Sequence, residues 1–337
     1  MRTCETLFGR NHVTEQMKVE TGLQLAPFRI EPQFVGRVWG SRDLRPWYNR
    51  VAETGDPIGE VWLTGDACRI ATGVHAGKTL ASLFAEIPEA LLGESAPRSG
   101  SPLLIKMLFA REKLSVQVHP DDKMAQKYGE PRGKTECWYV LEARPGAQVA
   151  CGIKAGVTLE KIKEGIHDGT LEESLNVLDV AAGEMIYVDA GTVHAIWPGS
   201  VLLETQQNCD LTYRMYDYGR PRELHIEKSL EATRLTTRAG KIAPQIEADR
   251  TILLDAEYFC VERCLKGESS IRLQLAGKLS YLFAAAGSGL IQEVNVAGFE
   301  AVELPPRSIV AVPANAPEFI VEDRGGLDLI RISPRWP

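Results

Sequence analysis

No apolar run in this 337-residue chain approaches the roughly eighteen residues that a membrane-crossing helix needs, so no membrane partner is expected. Met1 to Glu20 hold no apolar stretch either, and residues 1–22 read as a loose tail rather than a secretory leader. A basic excess is also missing. The formal charge is −7, from 38 Lys and Arg against 45 Asp and Glu, and that balance argues against nucleic acid, whose phosphates demand a broad basic surface. The seven cysteines include no Cys-x-x-Cys pair. An odd number without that spacing reads as reduced thiols in a cytoplasm, not as a disulfide framework or a thiolate metal site. Nor is there a nucleotide-binding phosphate loop. Gly73-Val-His-Ala-Gly-Lys-Thr79 and Gly129-Glu-Pro-Arg-Gly-Lys-Thr135 put three residues between the glycines, where the motif has four. Histidine is scarce, six in all, and none follows His225.

What is present is mainly β signal. Short apolar or alternating runs occur at Val61–Leu63, Leu103–Leu108, Ser115–Val118, Trp138–Leu141, Met185–Val188 and Val201–Glu204. Glycine and proline turns separate them, as in jelly-roll β-barrels. Three helical insertions interrupt the pattern, at about 79–92, 157–174 and 224–234. The first opens on a capping-type Thr79 and keeps Leu80, Leu83, Phe84 and Ile87 on one side. The length exceeds a single ordinary core, so two domains are expected. The pattern loosens between Ala239 and Asp249, which sets the domains at 23–243 and 244–337. Leu279–Gly287 and Val302–Ala314 read as strands of a second barrel, which has no histidine to offer a metal.

The residues that carry chemistry cluster in the first domain. Gln117 and His119 alternate at the strand period and so share a face. Glu136 lies in Lys134-Thr-Glu-Cys-Trp-Tyr-Val-Leu141, which is rich in strand formers. His194 follows Asp189-Ala-Gly-Thr-Val, a glycine turn into another apolar run. Two imidazoles, a carboxylate and an amide oxygen suit a divalent ion such as zinc, iron or manganese. Lys134, two residues before Glu136, falls on the same face, and with Lys106 and Arg214 it can attract a small anion despite the acidic exterior. Asp210 and Arg214 are four apart, an even spacing that puts both on one face of an extended strand.

Gly183-x5-Asp189-x-Gly191-x2-His194 has the spacing of the second cupin motif, with Asp189 where many cupins carry proline. Ser115-Val-Gln-Val-His-Pro-Asp-Asp122, Gly133-Lys-Thr-Glu-Cys-Trp138 and Gln206-Gln-Asn-Cys-Asp-Leu-Thr-Tyr-Arg-Met-Tyr-Asp217 follow in order. Together they resemble the type I phosphomannose isomerases in their short bacterial form. The resemblance runs from about Pro27 to the C-terminus and takes in Arg37-Val-Trp-Gly40, Ile58-Gly-Glu-Val-Trp62, Pro102-Leu-Leu-Ile-Lys106 and Leu224-His-Ile-Glu-Lys228. It implies two cupin-type jelly-roll barrels, the second degenerate. It also implies interconversion of mannose 6-phosphate and fructose 6-phosphate through a cis-enediol(ate). One divalent metal, zinc foremost, would be held by Gln117, His119, Glu136 and His194. Arg214 would stand beside the reacting carbons, Lys134 and Asp210 would transfer protons or bind hydroxyls, and Lys106 would face the substrate. Arg220 and Arg222 are the candidates for gripping phosphate.

Two departures from the family pattern are visible: Cys209 stands where serine is common, and Ser41 replaces the second glycine of Trp-Gly-Gly. The partner expected is a small phosphorylated sugar, and the chain is expected to be a monomer or weak homodimer in the cytoplasm. Two other readings stand beside the isomerase: a non-catalytic sugar-phosphate-binding cupin, and a metal cupin oxygenase. Oxygenase sites rely on three His, or two His and a carboxylate; Gln117 and the nearby lysines fit a hydroxylated anionic substrate better.

Overall fold

The strand Leu103–Phe109 is buried at every position, and its two faces enter different cores. Ile105, Met107 and Phe109 join one apolar cluster while Leu108 joins another. Alternation therefore separates two apolar sets, which is why such strands read as continuous apolar runs rather than as polar-apolar repeats. The computed structural model describes residues 24–336 apart from 95, 98–99, 265–269, 274–276 and 295–298. The expected tail, 1–22, lies outside the described residues.

Four antiparallel sheets are formed by the described residues. One has the spatial order Gly240–Ile242, Met185–Val188, Glu136–Ala143, Ser200–Gln207, Leu103–Phe109, Ile58–Trp62, Gln33–Ser41. A five-stranded sheet, Tyr213–Tyr216, Val116–Val118, His194–Ile196, Gln148–Ile153, Leu175–Asp179, packs on one of its faces through Trp138, Ile186, Leu202, Val149 and Ile196. Its other face meets a second large sheet, ordered Phe28–Ile30, Ile309–Val312, Ser280–Ala286, Asp328–Pro334, Phe259–Cys264, Arg250–Asp255, Gln245–Ile246. The core between these two large sheets joins Met107, Tyr139 and Leu203 to Phe259, Phe283 and Ile332. A four-stranded sheet covers the far side around Leu282, Phe319 and Val321. The mainly β expectation holds.

Sequence and structure differ in detail. The strand Phe28–Ile30 pairs with Ile309–Val312, so the start of the expected first domain forms the edge of the sheet built from residues 245–334. Burial of Phe28 and Ile30 in the central core holds it there. The 79–92 insertion is two helices, Leu80–Glu86 and Pro88–Leu92. Thr79 caps the first by accepting from the Ser82 amide, and Pro88, which lacks an N–H, begins the second. Residues 157–174 form the helix Leu159–Asp168, ended by left-handed Gly169, then a 3₁₀ turn at Leu171–Ser174. The third insertion is Ile226–Ala232. A further helix, Asp122–Lys127, is too short for a periodic signal; Asp121 caps it. No helix among the described residues is long and apolar enough to cross a membrane.

Candidate active site and metal centre

Strand register brings the four expected ligands together. His194 lies directly opposite Gln117 where their two strands pair. His119, just past the end of Val116–Val118, is fixed by its backbone oxygen accepting from the Gly191 amide. Glu136 opens the strand Glu136–Ala143 in the facing sheet and points inward with Trp138, whose indole N–H donates to Glu136 Oε1 at 3.1 Å. The imidazole rings of His119 and His194 stand 4.8 Å apart, and Glu136 carboxylate oxygens lie 3.5 Å from Nε2 of each. His119, Glu136 and His194 are at most 1% exposed.

The donor set suits a metal ion. Each histidine uses Nδ1 toward a backbone carbonyl, His119 to Leu211 O and His194 to Thr192 O, both at 2.9 Å. An Nδ1–H donating to a carbonyl leaves Nε2 with a free lone pair aimed at the carboxylate. His119 Nε2 makes no hydrogen bond although it is buried, a cost that coordination would remove. Ligand atoms of the three residues lie within 4.8 Å of one another. Burial pulls the pKa of His194 down to about 4 and that of His119 well below its ordinary value, so both rings are neutral, the form in which imidazole can bind a metal. Gln117 presents its amide nitrogen to His194 Nε2 at 3.2 Å, with its oxygen toward Ser115 Oγ. A half-turn of the amide would bring the oxygen to the centre in its place.

Above the ligands opens a cleft of about 440 Å³. Gln117 and Glu136 line it, with Lys106, Lys134, Asp210, Arg214 and Arg222 of the sequence candidates. Lys134 Nζ stands 3.1 Å from Glu136 Oε2 and 3.7 Å from Glu204 Oε1. Burial alone would lower the lysine's pKa, but Glu136, Glu204 and Asp210 raise it. Lys106 Nζ reaches Glu204 Oε2 at 3.2 Å and Glu60 Oε1 at 4.0 Å, and Arg37 grips Glu60 with Nε at 3.1 Å and Nη2 at 3.0 Å.

Glu204, Glu60 and Arg37 are absent from the sequence candidates. Glu204 sits opposite Lys106 across paired strands. Burial and the Glu136 carboxylate raise its pKa to about 7, against the pull of Lys106 and Lys134. Its signal in the sequence is a carboxylate inside Val201-Leu-Leu-Glu-Thr, where an unpaired charge would be costly.

Asp210 and Arg214 both line the cleft, but not as one strand face. Residues 210–212 are irregular, and the strand begins at Tyr213. Because the chain turns after Gln207, Asp210 is exposed, and Arg214 Nη1 donates to Glu223 O at 2.8 Å. Arg222 is held by a two-point fork on Asp217, Nε to Oδ2 and Nη2 to Oδ1, both 2.6 Å. Arg220 Nε lies 3.3 Å from the same carboxylate and does not line the cleft. Ser41, which replaces the second glycine of the family's Trp-Gly-Gly, donates from Oγ to Asp43 O at 2.6 Å.

Comparison with known proteins gives this geometry its context. Residues 27–146 match the family description "Phosphomannose isomerase type I, catalytic domain". The mannose-6-phosphate isomerase of Streptococcus mutans is 35% identical over 280 residues, 79% of this chain and 86% of that one. The Bacillus subtilis mannose-6-phosphate isomerase ManA is 36% identical over 265 residues, 74% of this chain and 82% of the relative. The crystal structure of a mannose 6-phosphate isomerase from Bacillus subtilis superposes with a TM-score of 0.81 at 30% identity, covering 91% of this chain and 99% of that one. With the same fold, a buried His/Glu/His centre and a cleft of lysines and arginines above it, the chain belongs to the type I phosphomannose isomerases.

Proposed function

We propose that this cleft interconverts mannose 6-phosphate and fructose 6-phosphate through a cis-enediol(ate), with one zinc ion held by Gln117, His119, Glu136 and His194. The observation that carries the reading is the buried ion network set directly on the metal centre, Lys134 touching both Glu136 and Glu204. A divalent ion held by Gln117, His119, Glu136 and His194 would supply Lewis-acid polarisation to the sugar oxygens.

The protein's own groups do the rest. Arg37, Lys106 and Lys134 balance Glu60, Glu136 and Glu204 one for one, so an added dication leaves the floor of the cleft positive. That sign favours an anionic sugar phosphate and, more strongly, the enediolate that develops from it. Arg214 adds a permanent guanidinium charge on the cleft wall beside the enediolate. Isomerisation takes the proton from C2 of the aldose and delivers one to C1, while a hydroxyl proton passes from O2 to O1. Lys134, Asp210 and Glu204 are the groups that can carry or direct these protons. Glu204 is held between Lys106 and Lys134, and its pKa, raised by burial and by the Glu136 charge, would be drawn back down by a dication on Glu136. Lys134, kept charged by its carboxylates, is suited to donating a hydrogen bond to a sugar oxygen, and Lys106 anchors Glu204 from the other side. Arg222, forked on Asp217, is the candidate for gripping phosphate.

The experiment is conversion of fructose 6-phosphate to mannose 6-phosphate by purified protein, before and after chelation, then with zinc, cobalt or manganese restored. Activity lost to the chelator and recovered best with zinc is expected. A folded, zinc-loaded protein without turnover would put the binding-protein reading in the lead.

A further inference from the structure

The half of the chain after residue 244 has no histidine, yet one of its side chains reaches the segments that carry the candidate ligands. Tyr258, in the turn between Arg250–Asp255 and Phe259–Cys264, donates its hydroxyl to Asp122 Oδ2 at 3.1 Å. The other oxygen of Asp122 accepts twice, from the Gly133 amide at 2.7 Å and from Gln207 Nε2 at 2.9 Å. Gln207 then accepts the Thr135 amide at 2.9 Å. Asp122 lies three residues after His119, Gly133 and Thr135 flank Lys134, and Gln207 lies three residues after Glu204. The fit is close: a Cβ on Gly133 would come within 2.4 Å of the Asp121 carbonyl carbon.

We propose that Asp122 is a positioning residue, and that through it Tyr258 of the C-terminal half sets the placement of the Lys134–Glu136 segment against Gln117 and His119. One carboxylate ties together three segments that converge on the metal centre and cleft, and the phenol fixes that carboxylate's rotation. Burial and the Asp122 charge both raise the pKa of Tyr258, so it remains a protonated donor. The hydrogen bonds do not depend on substrate; the kinetic readout alone rests on the isomerase reading.

Three single variants of the full chain, and one double variant, test this. Asp122→Ala removes all three bonds and should speed zinc release to a chelator about tenfold or more, the usual size of an outer-shell effect. It should also lower kcat with KM nearly unchanged. Asp122→Asn should restore both, because its oxygen still accepts at Oδ1 and its amide can donate to the Tyr258 oxygen. Tyr258→Phe should show the Asp122→Ala defect in part, and the double variant should be no worse than Asp122→Ala alone. In metal-free protein, hydrogen exchange at the Lys134–Cys137 amides should quicken in Tyr258→Phe while the sheet around Phe283 stays protected. Zinc release, kcat and exchange in Tyr258→Phe within twofold of the parent would overturn the proposal. So would Asp122→Asn as impaired as Asp122→Ala. If Asp122→Ala does not fold, Tyr258→Phe decides; if the parent holds no zinc, the exchange measurement decides and the metal reading fails separately.

Discussion

Asp217 is 2% exposed and carries the fork that aims Arg222 into the cleft, so at this residue charge and geometry make opposite predictions. Asp217→Asn makes the neighbourhood more positive, which by Coulomb attraction alone would tighten an anionic substrate. It also breaks one of two parallel charge-assisted bonds, which frees the guanidinium. If Arg222 grips phosphate from a fixed position, KM for fructose 6-phosphate should rise about five- to tenfold, with competition by inorganic phosphate weakened in parallel. A fall in KM would mean that charge, not placement, is what Asp217 controls. Arg214 has a different part. Its Nε is buried without a hydrogen bond, and burial together with Arg222 and Arg220 lowers its pKa, so the guanidinium charge is incompletely compensated by the protein. An enediolate would supply the missing negative charge in the transition state. Arg214→Ala should therefore keep fold and zinc but lower kcat about 10²- to 10³-fold, the usual cost of losing one such donor. Turnover within tenfold of the parent would contradict the role.

At the scale of elements, the residues proposed to hold a metal stood out in the sequence through local spacing and turn signals. Gln117 and His119 alternate, and Glu136 and His194 each sit where a turn enters an apolar run. Glu204, Glu60 and Arg37 were not legible, since nothing in a local pattern says which buried strand will lie beside which. The pairing of Glu204 with Lys106 joins residues 98 apart in the chain. The expected strand over Asp210–Arg214 failed for a local reason: the Cys209 amide donates to Gln207 O, which turns the chain before the strand begins. The ligand-bearing strands also set the behaviour in acid. A lowered folded pKa means the rings resist protonation as pH falls through the ordinary histidine range, so protons begin to compete with the metal only lower down. Zinc retained after dialysis should stay full at about pH 6 and fall between about pH 5 and 4. Release already near pH 6.5 would mean that the rings are solvated.

For the whole molecule, the decisive feature is the core shared by the two large sheets. Phe283 and Ile332 from one pack with Met107 and Leu203 from the other, all at most 1% exposed. Phe283→Ala should cost about 3–5 kcal/mol, and calorimetry should still show one transition, because neither large sheet can keep its outer face dry alone. Two resolved transitions would show the halves to be independent. The sequence by itself determined the mainly β class, the helical insertions, the absence of histidine after His225, and the imidazoles, carboxylate and amide proposed as metal ligands. Those follow from periodicity and side-chain chemistry, which are local. Only the tertiary structure decided that Phe28–Ile30 completes the distant sheet, that Glu204 is held between two lysines with a raised pKa, and that Tyr258 reaches Asp122. Each depends on which surfaces meet after folding, where desolvation and charge pairing are set by neighbours far away in sequence.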